Sequence, residues 1–140
     1  MNLRRKILII EDNEWNRALL AEILSSEYDT LEAENGKAGL EILEKEKEQI
    51  SLILLDIRMP KMTGIEVVQA AVESGYTGKF IILSGVTDFK LAQTARRYGV
   101  DFYLTKPIDE DELEQAEKIE HFLTCETVKN LDLLSQKIQR

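Results

Sequence analysis

Cysteine occurs once in the 140 residues, at Cys125, which excludes an intramolecular disulfide framework and suits a reducing compartment. Long apolar runs are missing as well. No segment approaches the ~20 residues of a membrane span, so no membrane partner is expected. The nearest thing to an export signal is the basic trio Arg4-Arg5-Lys6 before Ile7-Leu8-Ile9-Ile10. That apolar run ends at Glu11-Asp12, short of the ~7–15 residues of an h-region, and a cytoplasmic location is expected. Basic residues are in deficit. Eighteen Lys and Arg stand against 26 Asp and Glu, a net charge of −8, and without a basic face direct nucleic-acid contact is not expected. Histidine is single too: His121, in the context Glu120-His121-Phe122, reads as a surface or helix-packing residue. Cys125 lies in the tail with no partner thiol and reads as inert.

What is present suffices for a core. Hydrophobic residues make up 44% and charged residues 31%, ordinary soluble usage, and the length fits one domain with a short appendage. Apolar runs alternate with helical patterns. Ile7 to Ile10 is short, β-branched and apolar on both faces, like a strand inside a parallel sheet. Asn13 to Leu24 has a fair N-cap and places Trp15, Ala18, Leu19 and Ile23 at helical spacing. Trp15 either lies beside a site or packs. Tyr28 to Ala33 is a weaker strand, Ala38 to Glu46 a helix with Leu40 and Leu43 inward, and Ile50 to Ile57 the strongest strand. Ile65 to Glu73 is helical, Lys79 to Leu83 a strand, and Phe89 to Tyr98 a helix ended by Gly99. Asp101 to Thr105 is a fifth strand and Asp109 to Leu123 a fifth helix. Such alternation predicts an α/β fold, a five-stranded parallel sheet with helices on both faces. Residues 124–140 continue a helical pattern (Val128, Leu131, Leu134, Ile138) beyond what that fold requires.

In open α/β sheets ligands gather outside the carboxyl ends of the strands. Strand one ends at Glu11-Asp12, strand three delivers Asp56, strand four ends at Ser84, and strand five at Thr105-Lys106. Three carboxylates held together repel one another, and a hard divalent cation relieves that repulsion. Few carboxylates plus water suit Mg²⁺, which commonly binds with phosphate. Lys106 adds a positive charge and Ser84 a donor, both useful to phosphoryl oxygens. Asp56 then faces metal, ammonium and hydroxyl, the arrangement for forming an aspartyl phosphate. Singly each residue is bland, since acidic pairs usually cap loops. Their joint placement after strands one, three, four and five is what carries the reading.

From about Lys6 to Leu123 the chain resembles the response-regulator receiver domains of two-component signalling. The resemblance rests on Ile7-Leu8-Ile9-Ile10-Glu11-Asp12-Asn13, Leu54-Leu55-Asp56-Ile57-Arg58-Met59-Pro60-Lys61-Met62-Thr63-Gly64, Ile81-Ile82-Leu83-Ser84-Gly85 and Tyr103-Leu104-Thr105-Lys106-Pro107. It implies a flavodoxin-like sheet of order 2-1-3-4-5, with 1–123 the receiver domain and 124–140 a helical tail or linker. It also implies Asp56 as phosphoacceptor, with Glu11, Asp12, Asp56 and the Arg58 backbone carbonyl as Mg²⁺ ligands. Lys106 and Ser84 would assist the transfer, and Ser84 and Tyr103 would form the switch. The implied partners are a histidine kinase or phosphotransfer protein and a downstream protein or output domain. A homodimer contact through the C-terminal helix is a further expectation, from the apolar stripe of the tail. Departures are few: Thr63 where Asp is frequent, Gly85 where Ala is frequent, and a bulky Arg58 two residues after Asp56.

Three rivals use other chemistry. A haloacid-dehalogenase-type hydrolase wants a second Asp where Arg58 stands. A flavin binder wants a Ser/Thr/Gly-rich loop where Glu11-Asp12-Asn13 would repel phosphate. A phosphorylation-independent pseudo-receiver, acting as a scaffold, is the remaining alternative; it predicts loss of an acid or the lysine, and none is lost.

Overall fold

In a computed structural model of the chain, residues 5–84, 93–94, 97–98, 100 and 102–105 are described. They form β1 (Lys6–Ile10), α1 (Glu14–Leu24), β2 (Asp29–Ala33), α2 (Gly36–Glu46), β3 (Ile50–Asp56), α3 (Gly64–Glu73), β4 (Lys79–Ser84) and β5 (Phe102–Thr105). The strands lie in one sheet in the order β2-β1-β3-β4-β5, and every neighbouring pair is parallel. Residues 93, 94 and 97 are helical, within the helix expected from Phe89 to Tyr98. The remainder of that helix, the helix expected from Asp109 to Leu123 and the tail expected over 124–140 lie outside the described residues.

Successive strand side chains point to opposite faces, and the strands divide the core by that rule. Ile7, Ile9, Leu52, Leu54, Ile81 and Leu83 face α1, where they meet Leu20, Leu24 and Tyr28. Leu8, Ile10, Ile53, Leu55, Phe80 and Ile82 face α2 and α3, where they meet Leu43, Val67, Val68 and Ala71. Burial on both faces explains why β1, β3 and β4 read as unbroken apolar runs. Each fully buried Leu or Ile contributes roughly 1.5–3 kcal/mol of transfer free energy, which makes these strands the rigid floor of the site.

The caps set the helix starts. Asn13 accepts the Asn16 N–H at 2.9 Å and Asn35 accepts the Ala38 N–H at 2.8 Å. The second cap starts α2 at Gly36, two residues before the start expected at Ala38, because capping geometry rather than apolar spacing decides that end. The inward face of α1 matches expectation in part: Leu19 and Ile23 pack, partly buried, against the core. Leu20 and Leu24, one turn apart, are buried, whereas Ala18 is exposed and Trp15 is 73% exposed. Trp15 therefore does not pack into the core. At the far end of α3, Gly75 adopts φ 94°, a left-handed conformation that ends the helix at little cost.

Candidate phosphoacceptor and cation site

Strand parity carries past the strand ends and builds the site. Glu11 follows Ile7 and Ile9, and Asp56 follows Leu52 and Leu54, so both acids continue the sheet face that packs on α1. The Glu11 N–H donates to the Ala33 carbonyl at 3.1 Å, and the Ile57 N–H donates to the Leu83 carbonyl at 3.1 Å. These bonds extend the parallel pairing into the loops and hold both acids at the carboxyl edge. Glu11 is fully buried and Asp56 is 5% exposed, while Asp12 faces solvent.

Glu11, Asp12 and Asp56 each present a carboxylate oxygen within 4.8 Å of the others. With both ionised, the buried Glu11–Asp56 pair, its oxygens within 4.8 Å, repels by at least about 3.5 kcal/mol at an effective dielectric near 20. Among the described residues the cluster offers oxygen donors, two buried acids beside an exposed one, and such a set fits a hard divalent cation rather than a soft metal. A lysine or arginine could also relieve the repulsion, and Lys106 lies outside the described residues.

The loop after β3 shapes the approach to Asp56. The Arg58 N–H donates to Asp56 Oδ1 at 3.2 Å, so the backbone turns back over the acid, and the Arg58 side chain is exposed. The Gly64 N–H donates to the Ile57 carbonyl at 3.0 Å. Where α3 begins, a Cβ at Gly64 would lie 2.7 Å from the Asp56 carbonyl oxygen and 2.8 Å from the Ile57 Cα. Only glycine lets the helix start come so close to the acceptor's backbone. Between them Lys61 sits at φ 71°, a left-handed conformation that strains a residue with a side chain. Ile57, Arg58, Met59, Pro60, Thr63 and Ile65 line a recess of about 360 Å³ beside this loop.

Of the other residues singled out in the sequence, Ser84 ends β4 opposite Thr105, and Tyr103 lies in β5 opposite Ile82. The register brings the Asp56, Ser84 and Thr105 backbones to one edge of the sheet. Two contributors were not foreseen. Asn16 Nδ2 donates to Glu11 Oε1 at 3.3 Å, and Arg17 Nη1 donates to the Glu11 carbonyl at 2.8 Å. Polar residues in the first turn of a helix are common, and nothing in their spacing marks these two.

The family model of the response regulator receiver domain matches residues 7–118. The chain belongs to the response regulator receiver family. The receiver domain is 33% identical over 117 residues to the Sporulation initiation phosphotransferase F of Bacillus subtilis (strain 168), covering 83% of this chain and 93% of that protein. It is 36% identical over 112 residues to the Transcriptional regulatory protein GlrR of Escherichia coli (strain K12). That match covers 79% of this chain but only 24% of the longer relative. Among solved structures, the CheY-like response regulator receiver domain protein from Methanospirillum hungatei JF-1 superposes with a TM-score of 0.74 at 25% identity. It covers 96% of this chain and 98% of that one. The receiver domain is thus a module of two-component signalling. No helix among its described residues is long and apolar enough to cross a membrane.

Proposed function

We propose that Asp56 is the phosphoacceptor of this receiver domain and that Glu11, Asp12, Asp56 and the Arg58 backbone carbonyl hold Mg²⁺ beside it. The observation that supports this most directly is the gathering of three carboxylates within 4.8 Å at the carboxyl edge of the sheet, one of them ending the central strand β3. Bound Mg²⁺ would neutralise charge on the transferring phosphoryl oxygens. An Asp56 carboxylate oxygen attacks phosphorus. The bond from phosphorus to the donor nitrogen or oxygen breaks as the new O–P bond forms, and the leaving atom takes a proton from water. Lys106 supplies positive charge to the phosphoryl oxygens and Ser84 a hydroxyl donor. The exposed Arg58 flanks the path by which water would reach the product.

The donor in this reading is a phosphohistidine on a histidine kinase or phosphotransfer protein. Phosphorylation draws the Ser84 hydroxyl toward the new group and lets Tyr103 turn into the space it leaves. The population then shifts toward the form that binds a downstream protein or output domain. The apolar stripe through Leu131, Leu134 and Ile138 serves self-association through a C-terminal helix. The reaction belongs in the cytoplasm, where such donors are made.

A phosphoryl analogue tests the site without a kinase. Beryllofluoride should bind the wild-type chain only when Mg²⁺ is present, and Asp12→Ala should bind it more weakly. Equal binding with and without Mg²⁺, or an unaffected Asp12→Ala protein, would reduce the acidic cluster to a loop feature. Ser84→Ala should still accept the analogue while losing the conformational response.

A further inference from the structure

Glu11 differs from the other two acids in having one more rotatable bond, and it is the most deeply buried of the three. Mg²⁺ demands near-ideal octahedral geometry, so a ligand with an extra rotor must be ordered by something else. We propose that the Asn16 side-chain amide is a positioning residue that orders the Glu11 carboxylate for the cation. This rests on the reading of Glu11, Asp12 and Asp56 as the Mg²⁺ site.

The chain of contacts begins at the helix cap. Asn13 Oδ1 accepts the Asn16 N–H at 2.9 Å, which pins the Asn16 backbone in the first turn of α1. From there Asn16 Nδ2 donates to Glu11 Oε1 at 3.3 Å. A carboxylate only accepts, so the amide must present its NH₂ and not its oxygen, which fixes the amide's orientation. Arg17, the next residue, donates to the Glu11 carbonyl at 2.8 Å and lies 3.6 Å from Glu32 Oε1 on β2. The Glu11 N–H is held by the Ala33 carbonyl. The backbone of Glu11 is thus fixed on both sides by Arg17 and β2, and Asn16 acts on the side chain, at its carboxylate. Asn16 is half-buried, so water competes for that bond less than on an open surface. A partner that orients a metal-binding group typically adds 10–100-fold to affinity, and the long 3.3 Å bond places this one near the lower end.

Calorimetric Mg²⁺ titration of four full-length chains decides it: wild type, Asn16→Ala, Glu11→Asp and the double variant. Asn16→Ala should raise the Mg²⁺ Kd by about tenfold. Its metal-free thermal midpoint should stay within about 2 °C of wild type, since alanine suits the first turn of a helix. The shorter acid of Glu11→Asp withdraws from the amide, so adding Asn16→Ala to it should leave Kd unchanged. Wild-type binding with an unaltered Asn16→Ala Kd overturns the proposal alone, as does a full tenfold loss in the Glu11→Asp background. A wild-type chain that binds no Mg²⁺ overturns the cation site and the proposal together.

Discussion

Replacing Gly64 by alanine should damage both the fold and the acceptor, and the structure sets the scale. The new Cβ would stand 2.7 Å from the Asp56 carbonyl oxygen, 2.8 Å from the Ile57 Cα and 3.3 Å from the Asp56 carbonyl carbon. All three are backbone atoms of buried residues, so no side chain can swing aside. The closest approach is about 0.7 Å short of ordinary contact, and a close-packed interior yields little. Relief requires the start of α3 to part from the end of β3, stretching the Gly64 to Ile57 hydrogen bond. Overpacking of this kind costs about 2 kcal/mol net, partly offset by the better helix propensity of alanine. For a domain of this size that lowers the thermal midpoint by roughly 8 °C. The displaced backbone is that of the acceptor, so labelling of Asp56 by acetyl phosphate and Mg²⁺ should slow by at least tenfold, as sub-ångström misplacement of a reacting group does. Gly36→Ala is the control. The nearest atoms to its Cβ would be side-chain atoms of Val67 and Met62, not the acceptor's backbone, so it should lose stability and keep its labelling rate. Gly64→Ala with wild-type urea stability and wild-type labelling would refute the steric reasoning.

Lys61→Gly should remove the left-handed strain at φ 71° and raise stability by about 0.5 kcal/mol in urea denaturation, after the added chain entropy of glycine is set against the relief. Asn35→Ala removes the acceptor of the Ala38 N–H and should cost about 1 kcal/mol, read as a lower urea midpoint at constant slope. Leu54→Ala empties a fully buried position on the face shared with α1 and should cost about 3 kcal/mol by the same measurement.

The sheet was legible because each of its central strands is buried on two faces, and continuous apolar runs such as Leu52-Ile53-Leu54-Leu55 have few other uses. The acids at the strand ends were legible for the same reason: an acid directly after such a run must lie at the sheet edge. The inward face of α1 was legible only in part. Leu19 and Ile23 do flank the core, but Leu20 and Leu24, which fit helical spacing equally well, fill it while Trp15 and Ala18 stay exposed, and only the position of β1 and β3 selects among them. The closeness of Gly64 to Asp56 was likewise hidden, since a glycine after a loop marks a turn as readily as a tight approach. Asn16 and Arg17 escaped notice because their role depends on how α1 folds back over Glu11, a tertiary fact with no local signature.

The central claim is that Asp56 takes a phosphoryl group, and intact-mass spectrometry after incubation with acetyl phosphate and Mg²⁺ tests it most directly. The wild-type chain should gain one phosphoryl group in a Mg²⁺-dependent way, and Asp56→Asn, a near-isosteric change that removes the nucleophile, should gain none. Full labelling of Asp56→Asn, or a wild-type chain that stays unlabelled with Mg²⁺ in excess, would contradict the account.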